Sequence, residues 1–152
     1  TRDVFEMYQI DSKYQLSNAI LSKKIDSTYL VKALFKRANE NDVEATAVLE
    51  KAGENMGKSI SGVIAELNLK EPINVILAGS VWAKATSHHM QSSFEKTIQA
   101  LTHKKCNFIV LNEPPVLGAI LWALELANGK LPTSELKNKV LSEVITYQKS
   151  LT

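Results

Sequence analysis

The small pair Gly79-Ser80 follows the apolar run Val75-Ile76-Leu77-Ala78. A small residue at the carboxyl end of a buried strand lets another group approach the backbone closely. In open α/β sheets that edge is where ligands bind. Two readings of the turn stand side by side: a nucleotide or phosphate pressed against it, or an ordinary strand-to-helix turn. Gly53 and Gly57 lie one turn apart inside a long helical pattern. Glycine in a helix costs about 1 kcal/mol relative to alanine, so this pair marks a close approach to the backbone, by a packed helix or by a nucleotide base. His88 and His89 are adjacent and point about 100° apart on a helix. Helical metal pairs are spaced i and i+4, so solvated or capping roles suit them better. His103, near a helix end, suits the negative end of the dipole. Asp26 and Asp42 read as helix caps, Glu54 as a helix-surface residue, and Cys106, opening an apolar run, as a small buried hydrophobe.

Composition bounds the classes open to the chain. At 152 residues it has the size of one domain and can bury a core. A net charge of +2, with Lys and Glu mixed along the helices, gives no electrostatic footprint for nucleic acid. One cysteine excludes an internal disulfide framework and a multi-cysteine zinc or iron–sulfur site within this chain, and fits a cytoplasmic setting. No apolar run approaches the roughly 20 residues of a membrane span, and no signal peptide is visible. The first residue is Thr1, which is expected for a processed piece or a cut domain.

The elements that must position these residues follow from periodicity and punctuation. From Thr1 to Lys24, Val4, Phe5, Tyr8, Tyr14, Leu16, Ile20 and Leu21 suggest short amphipathic helices. Asp26 or Ser27 caps a helix whose inner face holds Leu30, Leu34 and Ala38, with Val31 alongside. Asn41 or Asp42 caps the next, running to about Leu69 with one apolar stripe through Ala45, Val48, Leu49, Ala52, Met56, Ile60, Val63, Ile64 and Leu67. A fully buried strand follows Pro72, then a short turn or helix over 81–86. A helix from Ser87 to about His103 turns Met90, Phe94, Ile98 and Leu101 inward. Cys106–Leu111 is a second strand. Residues 116–127 form an almost wholly apolar helix, which must be buried, closed by Asn128-Gly129 in a left-handed cap. Ser134 caps a last helix through Leu136, Val140, Leu141, Val144, Ile145 and Gln148. Two strands do not make a stable sheet alone, so strands outside this chain, or a partner, are expected to complete it.

Three stretches in this order resemble the carboxyl-terminal part of the N-acetylglucosamine kinase and BadF/BadG/BcrA/BcrD ATPase family, within the sugar kinase–Hsp70–actin superfamily. Lys51-Ala52-Gly53-Glu54-Asn55-Met56-Gly57-Lys58 resembles the family's long helix, with Asn41-Asp42 before it where relatives usually have Gly-Asp. Leu77-Ala78-Gly79-Ser80-Val81-Trp82 resembles the adenosine motif, with Ala78 where Gly is common, and Gly-Ser-Val-Trp is especially similar to eukaryotic-type N-acetylglucosamine kinases. Pro114-Pro115-Val116-Leu117-Gly118-Ala119 resembles the closing segment. The resemblance covers about Ser27 to Gly129.

The resemblance implies a helix-rich α/β, ribonuclease H-like (actin-like ATPase) lobe. Residues 1–70 are its helical block, 71–131 its strand–helix–strand–helix core and 132–152 its terminal helix. It implies ATP-dependent phosphorylation of N-acetylglucosamine or a related amino sugar, in a cytoplasmic homodimer. Carried over, Gly79 and Ser80, flanked by Ala78 and Val81, face the adenosine and α-phosphate; Thr28 lines the adenine pocket; Gly53 and Gly57 flank the base. The family's Asp-Gly-Gly-type phosphate loop, its second phosphate loop and its catalytic aspartate find no match here. ATP and Mg²⁺ are therefore expected to be held mainly by the other lobe, and this chain is expected to carry no catalytic or metal-binding residue. Two alternatives are an ATPase lobe coupled to a partner protein, as in BadF-type activators, and a non-catalytic helical interaction module.

Overall fold

The computed structural model describes residues 5, 6 and 8–150, with Val4 and the side chains at 148 and 149, that of Gln148 included, outside that description. Helix α1 (Lys13–Leu21) starts at Ser12, whose hydroxyl accepts the Gln15 N–H at 3.3 Å. Helix α2 (Ser27–Asn39) is capped by Asp26, whose carboxylate accepts the Thr28 N–H at 2.8 Å. The chain reverses at Asn41, which takes a left-handed φ of 63°. Asp42 then caps helix α3 (Val43–Glu66) by accepting the Ala45 N–H at 2.9 Å. Both aspartates thus serve the capping role read from the sequence, satisfying N–H groups that a helix start leaves free. Strand β1 (Ile73–Ala78) leads into the one-turn helix α4 (Ser80–Ala83) and then helix α5 (His89–Thr102). Strand β2 (Cys106–Leu111) is followed by helices α6 (Pro115–Asn128) and α7 (Ser134–Ser150). The two strands pair in a small parallel sheet.

The chain divides into two compact units. The first runs up to Val75 and resumes over Lys84–Phe108. Its centre is the packing of α3 on α5, where Leu49, Ile64, Met90, Phe94 and Ile98 are buried. Phe94 also meets Phe108 edge-to-face, with ring centroids 6.0 Å apart. Helix α2 packs on α3 and buries Phe35 and Ala38. The second unit holds Ile76–Ala83 and the residues from Ile109 onward. There Leu77, Trp82 and Leu117 are buried and α6 packs on α7.

Several expectations about burial need correction. The stripe on α3 is two stripes. The buried one runs Ala45, Leu49, Gly53, Gly57, Ser61, Ile64, mostly at spacing four, and its middle is made of small residues. Val48, Met56, Val63 and Leu67 lie on the other and are exposed. On α2, Phe35 takes the inner position, while Val31 is exposed and Leu30 and Leu34 are half-buried. Leu101 is exposed, not inward. β1 is not buried on both faces: Ile73, Val75 and Leu77 point inward, Asn74, Ile76 and Ala78 outward. Only Leu117 of the apolar helix α6 is buried, and Trp122 and Leu126 are 66% and 71% exposed. An apolar sequence states what a helix would gain by burial, but the burial itself needs a surface to meet.

Candidate functional site

The turn after β1 is built by one unusual backbone conformation. Gly79 has φ +104°, a value L side chains rarely adopt, and a side chain there would meet no atom within 4 Å. Glycine therefore turns the strand sharply and leaves open space above its backbone. The Gly79 carbonyl accepts the N–H groups of Trp82 at 3.1 Å and Ala83 at 3.0 Å, which closes α4 directly behind the turn. Trp82 is buried and anchors this helix, while Ala78, Ser80 and Val81 face outward. The sequence stretch Ala78-Gly79-Ser80-Val81 is thus one exposed, polar-backbone turn on a fixed base, a shape that can receive oxygen atoms of a ligand.

The remaining candidate residues lie in the other unit. Thr28 is exposed at the start of α2, with its N–H committed to the Asp26 cap. Gly53 and Gly57 are buried on α3. A side-chain carbon on Gly53 would press on the carbonyl oxygen of Met90 and stand 3.0 Å from the Phe94 nitrogen; at Gly57 it would lie 2.9 Å from the Phe94 carbonyl oxygen and 2.8 Å from Thr97 Cβ. The close neighbour marked by these glycines is therefore the backbone of α5, and packing accounts for both. Glu54, next in sequence, is a surface residue. Lys51 and Lys58 both donate to its carboxylate, and those bonds lower its pKa from 4.5 to about 2.

The histidine pair differs from its sequence reading. His88 is the N-cap residue of α5 but makes no side-chain cap bond. The His88 and His89 rings stack with centroids 4.6 Å apart and 24° between planes, and His89 Nδ1 lies 3.7 Å from a Glu50 carboxylate oxygen. With Ser92, Ser93 and Lys96 they line a groove of about 680 Å³. Sequence reading missed this groove because Glu50 sits on α3, far away in the chain; the adjacent histidines were the only local signal. Among the described residues no group of three or more His, Cys, Asp or Glu side chains could hold a metal ion. Cys106 is half-buried, and burial together with the nearby Glu71 carboxylate raises its thiol pKa. His103 ends α5 in a left-handed conformation, φ 53°.

A family model described as the ROK family matches residues 15–125, from α1 through most of α6. The chain belongs to the ROK family. ROK proteins are typically sugar kinases that use ATP and a divalent metal. The family falls within the sugar kinase and actin-like ATPase superfamily, the level at which the sequence resemblance and the match agree. The helix-rich α/β architecture with a small parallel sheet is consistent with that superfamily's fold. No curated protein and no solved structure matches the chain. No helix among the described residues is long and apolar enough to cross a membrane.

Proposed function

We propose that this chain is the adenosine-binding lobe of an ATP-dependent sugar kinase acting on N-acetylglucosamine or a related amino sugar. The observation that carries the reading is the Gly79 turn: a positive-φ glycine at the carboxyl end of β1, open above its backbone, with Ala78, Ser80 and Val81 facing out. That is the edge where ligands of parallel α/β sheets bind. ROK membership supports the reaction class, and the Gly79-Ser80-Val81-Trp82 resemblance to N-acetylglucosamine kinases supports the amino sugar.

In this reading the Gly79 and Ser80 backbone meets adenosine and the α-phosphate, and the Ser80 hydroxyl adds a further hydrogen-bonding group there. The resemblance assigns Thr28 to the adenine side. Gly53 and Gly57 contribute indirectly, by letting α3 seat against α5. Bound ATP supplies the phosphoryl group. In this reading metal binding, proton removal from the sugar and phosphoryl transfer fall to residues outside this lobe, because the family's phosphate loops and catalytic aspartate find no match in the sequence. The exposed outer face of α6, Trp122 and Leu126 included, supports a lobe whose sheet and helices are completed by further protein.

Titration with a non-hydrolysable ATP analogue, followed by two-dimensional amide NMR, tests the site. The expected result is saturable shifts at residues 78–81 and at Thr28, reduced in affinity by Ser80→Ala, with no turnover by the chain. Shifts that bypass 78–81 would refute the assignment. Transfer to glucose but not to N-acetylglucosamine by the whole enzyme would refute the choice of sugar.

A further inference from the structure

The groove beside His88 and His89 carries two parallel rows of polar side chains with opposite hydrogen-bonding character. His88, Ser92 and Lys96 follow at intervals of four, so they share one face of α5 and its N-cap and span about 12 Å at 1.5 Å per residue. His89, Ser93 and Thr97 form the row beside it, against α3.

The inner row is fixed and accepts. The Ser93 hydroxyl donates to the Glu50 carbonyl at 2.7 Å, and the Thr97 hydroxyl donates to the Ser93 carbonyl at 2.8 Å. Each hydroxyl has committed its one proton, so its lone pairs are what it offers the groove. The Glu50 carboxylate, an acceptor alone, stands in the same wall, 3.7 Å from His89 Nδ1. The outer row donates. Lys96 carries three donors and no acceptor. It is exposed, and among the described residues no carboxylate pairs with it. Its neighbour Glu95 instead accepts from Gln91 at 2.7 Å. The Ser92 hydroxyl and a ring N–H of His88 add donors along the same row.

A ligand that uses both rows is anionic on one side and rich in hydroxyl groups on the other. A plain anion leaves the inner acceptors without donors and meets the Glu50 carboxylate. A neutral sugar makes no use of Lys96. A sugar phosphomonoester answers both rows: its phosphate oxygens accept from Lys96, Ser92 and His88, and its hydroxyls donate to Glu50, Ser93 and Thr97. The groove volume, about 680 Å³, is that of a small-molecule site.

We propose that the groove between α3 and α5 binds a sugar phosphomonoester, with the phosphate on the Lys96 row and the sugar hydroxyls on the Glu50 row. Such a compound is the product class of a sugar kinase, so the choice of ligand rests on the kinase reading. The groove itself shares no residue with the Gly79 turn.

Two-dimensional amide NMR at neutral pH and low salt tests the proposal, with glucose 6-phosphate, N-acetylglucosamine 6-phosphate, inorganic phosphate and glucose as separate titrants. The expected result is saturable shifts over residues 88–97 with at least one sugar phosphate, about tenfold tighter than with inorganic phosphate, and none with glucose. Lys96→Ala, at an exposed position, is expected to weaken sugar phosphate binding about tenfold. Glu50→Gln is expected to weaken it about fivefold and to leave inorganic phosphate binding no weaker. Far-UV circular dichroism confirms that both variants keep their helix content. Absence of shifts at 88–97 with both sugar phosphates overturns the proposal. Inorganic phosphate bound as tightly as the sugar phosphates, or glucose alone producing the same shifts, overturns the ligand class. Binding that survives both substitutions overturns the two-row assignment. The ATP analogue reads at 78–81 and the sugar phosphates at 88–97, so failure of this site and failure of the nucleotide reading are seen separately in the same spectra.

Discussion

Alanine substitution at two glycines of α3 sets the packing argument against helix propensity within one helix. Gly→Ala in a helix interior gains about 1 kcal/mol from propensity alone. At Gly62 nothing lies within 4 Å of the added carbon, so Gly62→Ala is expected to stabilise by about 0.5–1 kcal/mol. At Gly53 the added carbon meets the Met90 carbonyl and sits 3.0 Å from the Phe94 nitrogen. These are backbone atoms of α5, which no rotamer change can move aside. Overpacking in a closed interior costs about 1–3 kcal/mol, and a backbone obstacle places this case at the upper end. The net expectation for Gly53→Ala is a loss of roughly 1–2 kcal/mol after the propensity gain is subtracted. At about 2–4 °C per kcal/mol for a chain of this size, Tm falls by roughly 2–8 °C. Thermal and urea denaturation followed at 222 nm measure both variants against wild type. A Gly53→Ala protein as stable as wild type would show that α5 does not rest on α3 at this point, and the account of the small-residue stripe would fail.

Three further expectations follow from local features. Asp42→Ala removes the cap of the longest helix and is expected to cost about 1 kcal/mol in urea titration; an unchanged midpoint would contradict the capping bond to Ala45. Glu54, with its pKa lowered from 4.5 to about 2 by Lys51 and Lys58, contributes stability that is present above pH 4.5 and lost as pH falls toward 2. Because the group is solvent-exposed the effect is small and screened by salt, so Glu54→Gln should flatten that acid limb slightly at low ionic strength and not at all at high; an unaltered limb at low salt would count against the pairing. Burial and the Glu71 carboxylate raise the Cys106 pKa, so its alkylation by iodoacetamide at neutral pH is expected to be slower than that of a free thiol and to accelerate as pH rises; alkylation at the free-thiol rate would refute this.

Local chemistry was the most legible part of this chain. Asp26 and Asp42 as caps, Cys106–Leu111 as a strand and Gly129 as a left-handed cap, φ 64°, need only neighbouring residues to be recognised. What escaped the sequence depends on distant partners. The α3 pattern merges two stripes, and only the position of α5 decides that Gly53 and Ser61 are inside while Val48 and Met56 are outside. The all-apolar α6 cannot disclose that Leu117 alone among its residues is buried. Helix α5 begins at His89, two residues later than Ser87, and Ser87 is itself buried and accepts the His89 N–H at 3.5 Å. At the candidate site the glycine was readable as a break after an apolar run, and both of its readings, a ligand against the backbone or an ordinary strand-to-helix turn, are compatible with an open glycine of positive φ. The cause of the Gly53 and Gly57 spacing was not, because a packed helix and a bound base ask for the same small residue.

The anchoring of the turn by Trp82 has an optical consequence. The chain carries two tryptophans in opposite surroundings, Trp82 buried beneath the turn and Trp122 largely in water. Iodide in solution can quench the second and scarcely reach the first, so their emission separates without any label. Occupation of the Gly79 turn then registers in the protected component, and coverage of α6 by further protein registers as a blue shift of the accessible one. Two events proposed for different parts of this chain thus carry different colours in the same spectrum.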